Sequence, residues 1–283
     1  MKKDKNLIFD IGMHKGEDSD YYLRKGFNVV SFEADPDLAN YCRKKFAGEL
    51  DSGQLTIVEG AITDPELVTV TDGKVRFYKN NKVSVWGTVV NEWSERNSKL
   101  GAEDELIEVS SIDFQDCLNK YGIPYYMKID IEGMDTVCLK ALLNFSDKPD
   151  YISIESEKVS FKKLEEEFDL LIQLGYDKFQ AINQSKVSSF REAKNHGEGK
   201  FLDYKFLRGS SGSFGNDLNP TQWKNLSEIR NQYTSIFKGY KLLGDHASVN
   251  KSSVGRLFSR VMDKFFAYPG WFDTHAKHSS IKD

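Results

Sequence analysis

Apolar runs about five residues long recur along the first 185 residues, separated by stretches with helical spacing. Strands are expected at 7–11, 28–33, 54–59, 74–79, 106–109, 125–131, 151–155 and 177–183. Helical patterns fill 17–25, 37–47, 113–121, 134–145 and 160–174. Pro36 suits the first turn of one helix, Asp113 the N-cap of another, and Gly175 the residue just past the last. Alternation of this kind builds a mostly parallel sheet flanked by helices, with ligands beyond the carboxyl ends of its strands. The stretch 78–108, with Trp86 and Trp93, interrupts the alternation and reads as a loop-like insertion on the substrate side. A main domain over 1–208 is expected, followed by an extension over 209–283. In that extension 209–216 (Gly-Ser-Ser-Gly-Ser-Phe-Gly-Asn) reads as a flexible turn-rich segment and 220–237 as helical. The late aromatics suggest folding back onto the domain.

Composition adds bounds. Of 283 residues, 39% are hydrophobic and 29% charged, the profile of an ordinary globular chain. The net charge of -4 argues against a dedicated nucleic-acid binder. No stretch has the length of a membrane span, and the first apolar run is too short for a signal peptide. Cys42, Cys117 and Cys138 lack zinc spacing and read as reduced thiols, so a cytoplasmic location is expected.

The strand ends carry the candidate chemistry. The first ends in Asp10-Ile11-Gly12 with Gly16 four residues on, a strand–turn–helix whose glycines permit a tight turn and close packing against a ligand. Asp10 is unusual in an anion-binding turn and suits a ligand that also carries a cation. The second strand ends at Glu33, about 20 residues past the turn, where an acid binds a ribose diol. Gly60-Ala61-Ile62 leaves room for a flat base, and Asp64 could meet its exocyclic amine or merely begin a turn. Met127-Lys-Ile-Asp130-Ile-Glu132-Gly133 places two acids on one side of a strand end, and another strand ends at Glu155. So many carboxylates would repel a pyrophosphate and accommodate a nucleoside that carries an amino acid and a sulfonium.

These residues resemble the FkbM-type family of S-adenosylmethionine-dependent methyltransferases. The likeness covers about residues 6–185 and is most specific at Lys128-Ile-Asp-Ile-Glu-Gly133. It implies a class I fold, α/β and Rossmann-like, with seven strands, the last antiparallel. It implies S-adenosylmethionine as cofactor and O-methylation of a hydroxyl, most often of a sugar, polysaccharide or glycosylated natural product. By position, Asp10 and Gly12 would hold the methionine moiety, with Gly16 also in the cofactor site, Glu33 the ribose, Ala61 and Ile62 the adenine, and Asp130 the amino group or the methyl. The family's more usual text after the first glycine is Ala-Asn-x-Gly; here it is Met13-His14-Lys15-Gly16.

A hydroxyl acceptor must lose a proton, which invites a general base. His14, Asp130, Glu132, Glu155 and His275 are the candidates, with Asp273 able to orient His275 if the tail covers the site. Asp130, Glu132 and Glu155 could also bind a divalent metal, although no ligand spacing demands one. Trp86, Trp93, Tyr125 and Tyr126 could stack on a sugar or pack in the core. A metal-dependent glycosyltransferase using Asp130 and Glu132, and a non-catalytic S-adenosylmethionine-binding module, are the alternatives. A nicotinamide dehydrogenase fits poorly, because its glycine pattern differs. The expected partner is a small-molecule or glycan acceptor, and homo-oligomerisation is left open.

Overall fold

The computed structural model describes residues 3–80, 84, 87–91, 93–95, 104–192, 197–243 and 270–282. The chain divides into two compact units, Met1–Ile152 with Gly199–Leu202, and Ser153–Glu198 with Asp203–Asp283. The first contains β1 (Lys3–Ile11), α1 (Glu17–Arg24), β2 (Asn28–Glu33), α2 (Pro36–Lys45), α3 (Ala47–Asp51), β3 (Leu55–Glu59) and β4 (Ala61–Ile62). It continues with β5 (Val70–Thr71), β6 (Lys74–Asn80), β7 (Asp104–Ile112), α4 (Phe114–Tyr121), β8 (Ile123–Ile129) and α5 (Asp135–Leu142). Next comes β9 (Tyr151–Glu155), and the second unit adds α6 (Phe161–Gln173), β10 (Tyr176–Asn183), α7 (Leu226–Leu243) and β11 (Phe272–His278).

Seven strands form one sheet in the order β10-β11-β9-β8-β1-β2-β3. β1 pairs in parallel with β2 and β8, β2 pairs in parallel with β3, and β11 runs antiparallel to β10. This is the mostly parallel α/β arrangement expected from the alternation, with the seven strands and antiparallel last strand that the family resemblance implies. Central β8 is buried at every position, and β1 turns from exposed to buried at Leu7. Phe9, Phe32 and Phe114 meet with ring centroids 5.5–6.2 Å apart and anchor the core beneath the β1 and β2 ends.

Three expectations on local structure change. The stretch read as an insertion from 78 contributes strand: β6 and β7 pair antiparallel, with Tyr78 opposite Leu106 and Asn80 opposite Asp104, in a second sheet of order β4-β7-β6-β5. Because β7 buries little besides Val109, only part of it reads as a strand in sequence. The seventh strand lies at Phe272–His278, where the tail text had no strand signal; its Asp273, Thr274, His275 and Lys277 are polar yet buried. The segment 209–216 is not loose. Phe214, Ser210 and Ser211 are buried, Asn216 N–H donates to Glu198 Oε1 at 2.7 Å, and a Cβ on Gly215 would stand 2.3 Å from that oxygen.

Candidate active site

In the first unit a cleft opens beyond the carboxyl ends of β1, β2 and β8. Its wall includes Gly12, His14, Glu33, Ala61, Ile62, Asp130 and Glu132, so strand ends far apart in sequence meet in one place. Gly12 has φ +87°, and its backbone N–H and that of Met13 both donate to Phe32 O, at 3.1 and 2.9 Å. A Cβ on Gly12 would stand 1.9 Å from Asp130 O, so the β1 turn and the β8 end are pressed backbone to backbone. Gly16, with φ +71°, caps α1 against Phe46, which a Cβ would meet at 2.4 Å. Gly12→Ala is expected to lower Tm by about 5 °C, since a left-handed alanine costs about 1–2 kcal/mol even without the clash. It is also expected to lose S-adenosylhomocysteine binding; thermal denaturation with and without that ligand measures both effects.

Glu33 ends β2 and is 7% exposed. Its Oε2 accepts from His14 N–H at 2.7 Å and its Oε1 from Asp35 N–H at 2.8 Å. Burial pushes its carboxyl up to about 7 against the pull of those two bonds. The chain thus holds this carboxylate in place at an electrostatic cost that a ligand's hydroxyl groups could offset. Asp35 caps α2 through Asp37 N–H and pairs with Lys79 of β6 at 3.2 Å. Lys79 itself lines the cleft.

Asp10 is fully buried and sits behind the cleft. Its Oδ2 accepts from Ser19 Oγ, and its Oδ1 lies 3.5 Å from Lys128 Nζ. Burial raises its pKa, while Lys128 and the Ser19 bond act to lower it. Lys128 is 4% exposed, sits directly across the β1–β8 register from Asp10, donates to Gly12 O at 2.7 Å and lies 3.8 Å from Asp130 Oδ2. Asp10 therefore reaches the glycine turn through this lysine. In the sequence Lys128 has a place in the family-like stretch but no role, although a lysine in an otherwise apolar strand is a signal in itself.

Past β8, Asp130 keeps 43% of its side chain exposed, while Glu132 is buried in a left-handed conformation at φ +44°. Asp135 accepts from Ile131 and Gly133 N–H, and Thr88 Oγ1 donates to Glu132 O at 2.8 Å. Thr88 and Tyr78 exchange backbone hydrogen bonds, which brings Gly87, Thr88 and Val89 to the cleft wall beside Phe77 of β6. This wall was hidden inside the stretch read as a loop.

The remaining candidates stand in other surroundings. Asp64 heads a turn, accepting from Glu66 N–H. Glu155 accepts from Lys158 Nζ at 2.7 Å. His275 lies in β11, 1% exposed, its imidazole pushed down to about 3 by burial. Glu155 and His275 belong to the second unit and do not line this cleft among the described residues. Tyr125 and Tyr126 are core residues, Trp93 packs where a Cβ on Gly133 would fall, and Trp86 lies outside the described residues. Among the described residues no three His, Cys, Asp or Glu side chains stand together as a metal site, and no helix is long and apolar enough to cross a membrane.

The methyltransferase FkbM domain matches residues 10–178, which takes in the β1 turn, Glu33, Ala61 and the Asp130–Glu132 segment. The chain belongs to the FkbM methyltransferase family. This FkbM-type protein is accordingly a methyltransferase that uses S-adenosylmethionine. Among solved structures it is similar to the precorrin-6y C5,15-methyltransferase of Geobacter metallireducens, at 13% identity over 72% of this chain and 77% of that one, TM-score 0.36. It is similar to an O-methyltransferase of Bacillus cereus in complex with S-adenosylhomocysteine, at 12% identity over 63% and 67%, TM-score 0.36. It is similar to phosphoethanolamine N-methyltransferase 2 of Haemonchus contortus in complex with S-adenosylmethionine, at 12% identity, TM-score 0.37, and spans half of that chain. Likeness this distant says nothing of the acceptor. No curated protein matches the chain.

Proposed function

We propose that this FkbM-type methyltransferase transfers the methyl group to an oxygen, and that its acceptor is a hydroxyl of a sugar, polysaccharide or glycosylated natural product. The observation that carries this reading is the clustering of proton-accepting side chains on the cleft wall: His14, Asp130 and Glu132, two of them held at positive φ. A non-glycine residue at positive φ stores strain, and such strain gathers where a side chain must be aimed. A hydroxyl acceptor needs a base beside it; an already nucleophilic amine needs one less.

The residues fit the cofactor. Glu33 would accept from both ribose hydroxyls, Ala61 and Ile62 would flank the base, and Asp130 would meet the amino group. The Gly12 turn gives close backbone approach, while Asp10 and Lys128 hold that turn from behind. When bound, S-adenosylmethionine supplies an electrophilic methyl on a sulfonium. The chain's own work is to align the acceptor oxygen, exclude water and take up the hydroxyl proton. Lys79, Thr88 and the β6–β7 stretch would face the acceptor and set its identity.

The test pairs calorimetry with transfer. S-adenosylhomocysteine should bind, and NAD and UDP should not. Label from methyl-labelled S-adenosylmethionine should pass to at least one member of a panel of methyl glycosides, with the product ether located by NMR. Binding of UDP in place of S-adenosylhomocysteine would move the protein to nucleotide-sugar chemistry. Binding without transfer to any hydroxyl, amine or thiol acceptor would leave a module that only holds the cofactor.

A further inference from the structure

We propose that Glu17, His14 and Ser84 form a proton relay at the cleft, with His14 as the general base, Glu17 as its orienter and the Ser84 hydroxyl as the link to the acceptor. This rests on the hydroxyl-acceptor reading above. His14 Nδ1 lies 3.2 Å from Glu17 Oε1 and 3.3 Å from its Oε2, and His14 Nε2 lies 2.8 Å from Ser84 Oγ. A carboxylate only accepts, so Nδ1 carries the proton and Nε2 turns its lone pair to the serine hydroxyl. That is a base–orienter pair with a hydroxyl in line, and both His14 and Ser84 line the cleft. The left-handed backbone of His14, at φ +51°, permits the arrangement: its N–H donates to Glu33 Oε2 while its ring points to Ser84. The base thereby touches both the carboxylate assigned to ribose and the Ser84 hydroxyl.

The step balances. An oxygen–methyl bond forms as the sulfur–methyl bond breaks, with that electron pair left on sulfur. The acceptor's proton passes to Ser84 Oγ while the Ser84 proton passes to His14 Nε2. The positive charge lost from the sulfonium reappears on the imidazolium, facing Glu17. Other charged and titratable groups surround His14. Lys15 flanks it on its own turn, Glu33 Oε2 accepts from its N–H, Asp35 lines the same cleft, Cys42 Sγ donates to His14 O at 3.3 Å, and Lys45 of α2 donates to the Lys15 and Gly16 carbonyls. The Glu17 carboxyl is held low; burial opposes this, and the hydrogen bond and charge of His14 outweigh it.

The experiment compares the full-length wild type with His14→Asn, Glu17→Gln and Ser84→Ala, using methyl glycosides as acceptors and saturating S-adenosylmethionine. Asparagine tolerates the left-handed conformation and keeps the backbone N–H to Glu33, so the variant should fold and its S-adenosylhomocysteine affinity should stay within about threefold. Its kcat should fall about 100-fold, within the usual range for a lost general base, and the acid-side fall in the kcat profile should vanish. Ser84→Ala and Glu17→Gln should each lower kcat about tenfold with KM little changed. By carboxyl-detected NMR without acceptor, Glu17 should titrate higher in His14→Asn. An unchanged kcat and profile in His14→Asn overturns the relay alone, and an unmoved Glu17 titration overturns its orienting arm. Failure of wild-type transfer to every glycoside, with S-adenosylhomocysteine still bound, overturns the hydroxyl-acceptor reading and the relay with it.

Discussion

Glu33→Gln is expected to weaken S-adenosylhomocysteine binding about 10- to 100-fold at pH 8, because each hydrogen bond to a charged group is worth about 1.5–3 kcal/mol. In the wild type the affinity itself should depend on pH. Burial holds the Glu33 carboxyl up at about 7, and two hydroxyl donors need the ionised form. Below that value the carboxyl must lose a proton before it can accept both, so affinity should fall about tenfold per unit of pH. Calorimetry in two buffers of different ionisation enthalpy should find about one proton released at pH 6 and almost none at pH 8. In Glu33→Gln both the slope and the proton release should disappear. A wild-type affinity that is flat from pH 6 to 8 would take Glu33 out of the ribose site. Stability has the matching sign. The folded pKa lies above the ordinary 4.5, so the cofactor-free protein binds the proton more tightly than the unfolded chain does. Its Glu33 contribution is therefore full at low pH, declines as pH rises through 7, and is restored by a ligand that donates to the carboxylate. The Tm gain from saturating S-adenosylhomocysteine should thus be larger at pH 8 than at pH 6.

Lys128→Met should destabilise the protein by about 3–5 kcal/mol, the usual result of removing one partner of a buried ion pair, and lower Tm by about 10 °C. Asp10 would lose its cation, and the Gly12 carbonyl its buried donor. The loss should grow as pH rises. Burial already raises Asp10, and removing Lys128 removes the strongest influence lowering it, so the variant favours a protonated Asp10. Adding Asp10→Asn to Lys128→Met should recover part of the loss, and a double-mutant cycle would then give a coupling of at least about 1 kcal/mol. Additive effects from the two substitutions would mean that Lys128 acts on the Gly12 turn without Asp10.

How far the site could be read from the text differs by residue. The Gly12 turn, Glu33 and the Ala61–Ile62 wall follow from strand ends and local rules, because in a parallel sheet the carboxyl ends converge wherever the strands are adjacent. Asp10 was legible as a carboxylate at the turn. Its burial behind the turn, with Lys128 across the register, was not, since register between strands so far apart in sequence is a tertiary property. His14 was legible as a titratable side chain near the turn. Its partner Ser84 comes from a stretch with no periodic signal, and only folding brings the two within 2.8 Å.

The alternation of apolar runs and helical spacing by itself determined the α/β class, six strands of the main sheet and the edge at which a ligand binds. These are consequences of local periodicity and of chain direction within a parallel sheet, and both are written residue by residue. The ordered glycines and acids carried the likeness to the FkbM family, and that likeness implied the cofactor. Tertiary structure alone decided the seventh strand, whose buried Asp273, Thr274, His275 and Lys277 have no strand pattern of their own. It likewise decided the β6–β7 wall of the cleft. A strand made mostly of polar residues is stabilised by the neighbour that pairs with it, and that neighbour lies far away in the chain.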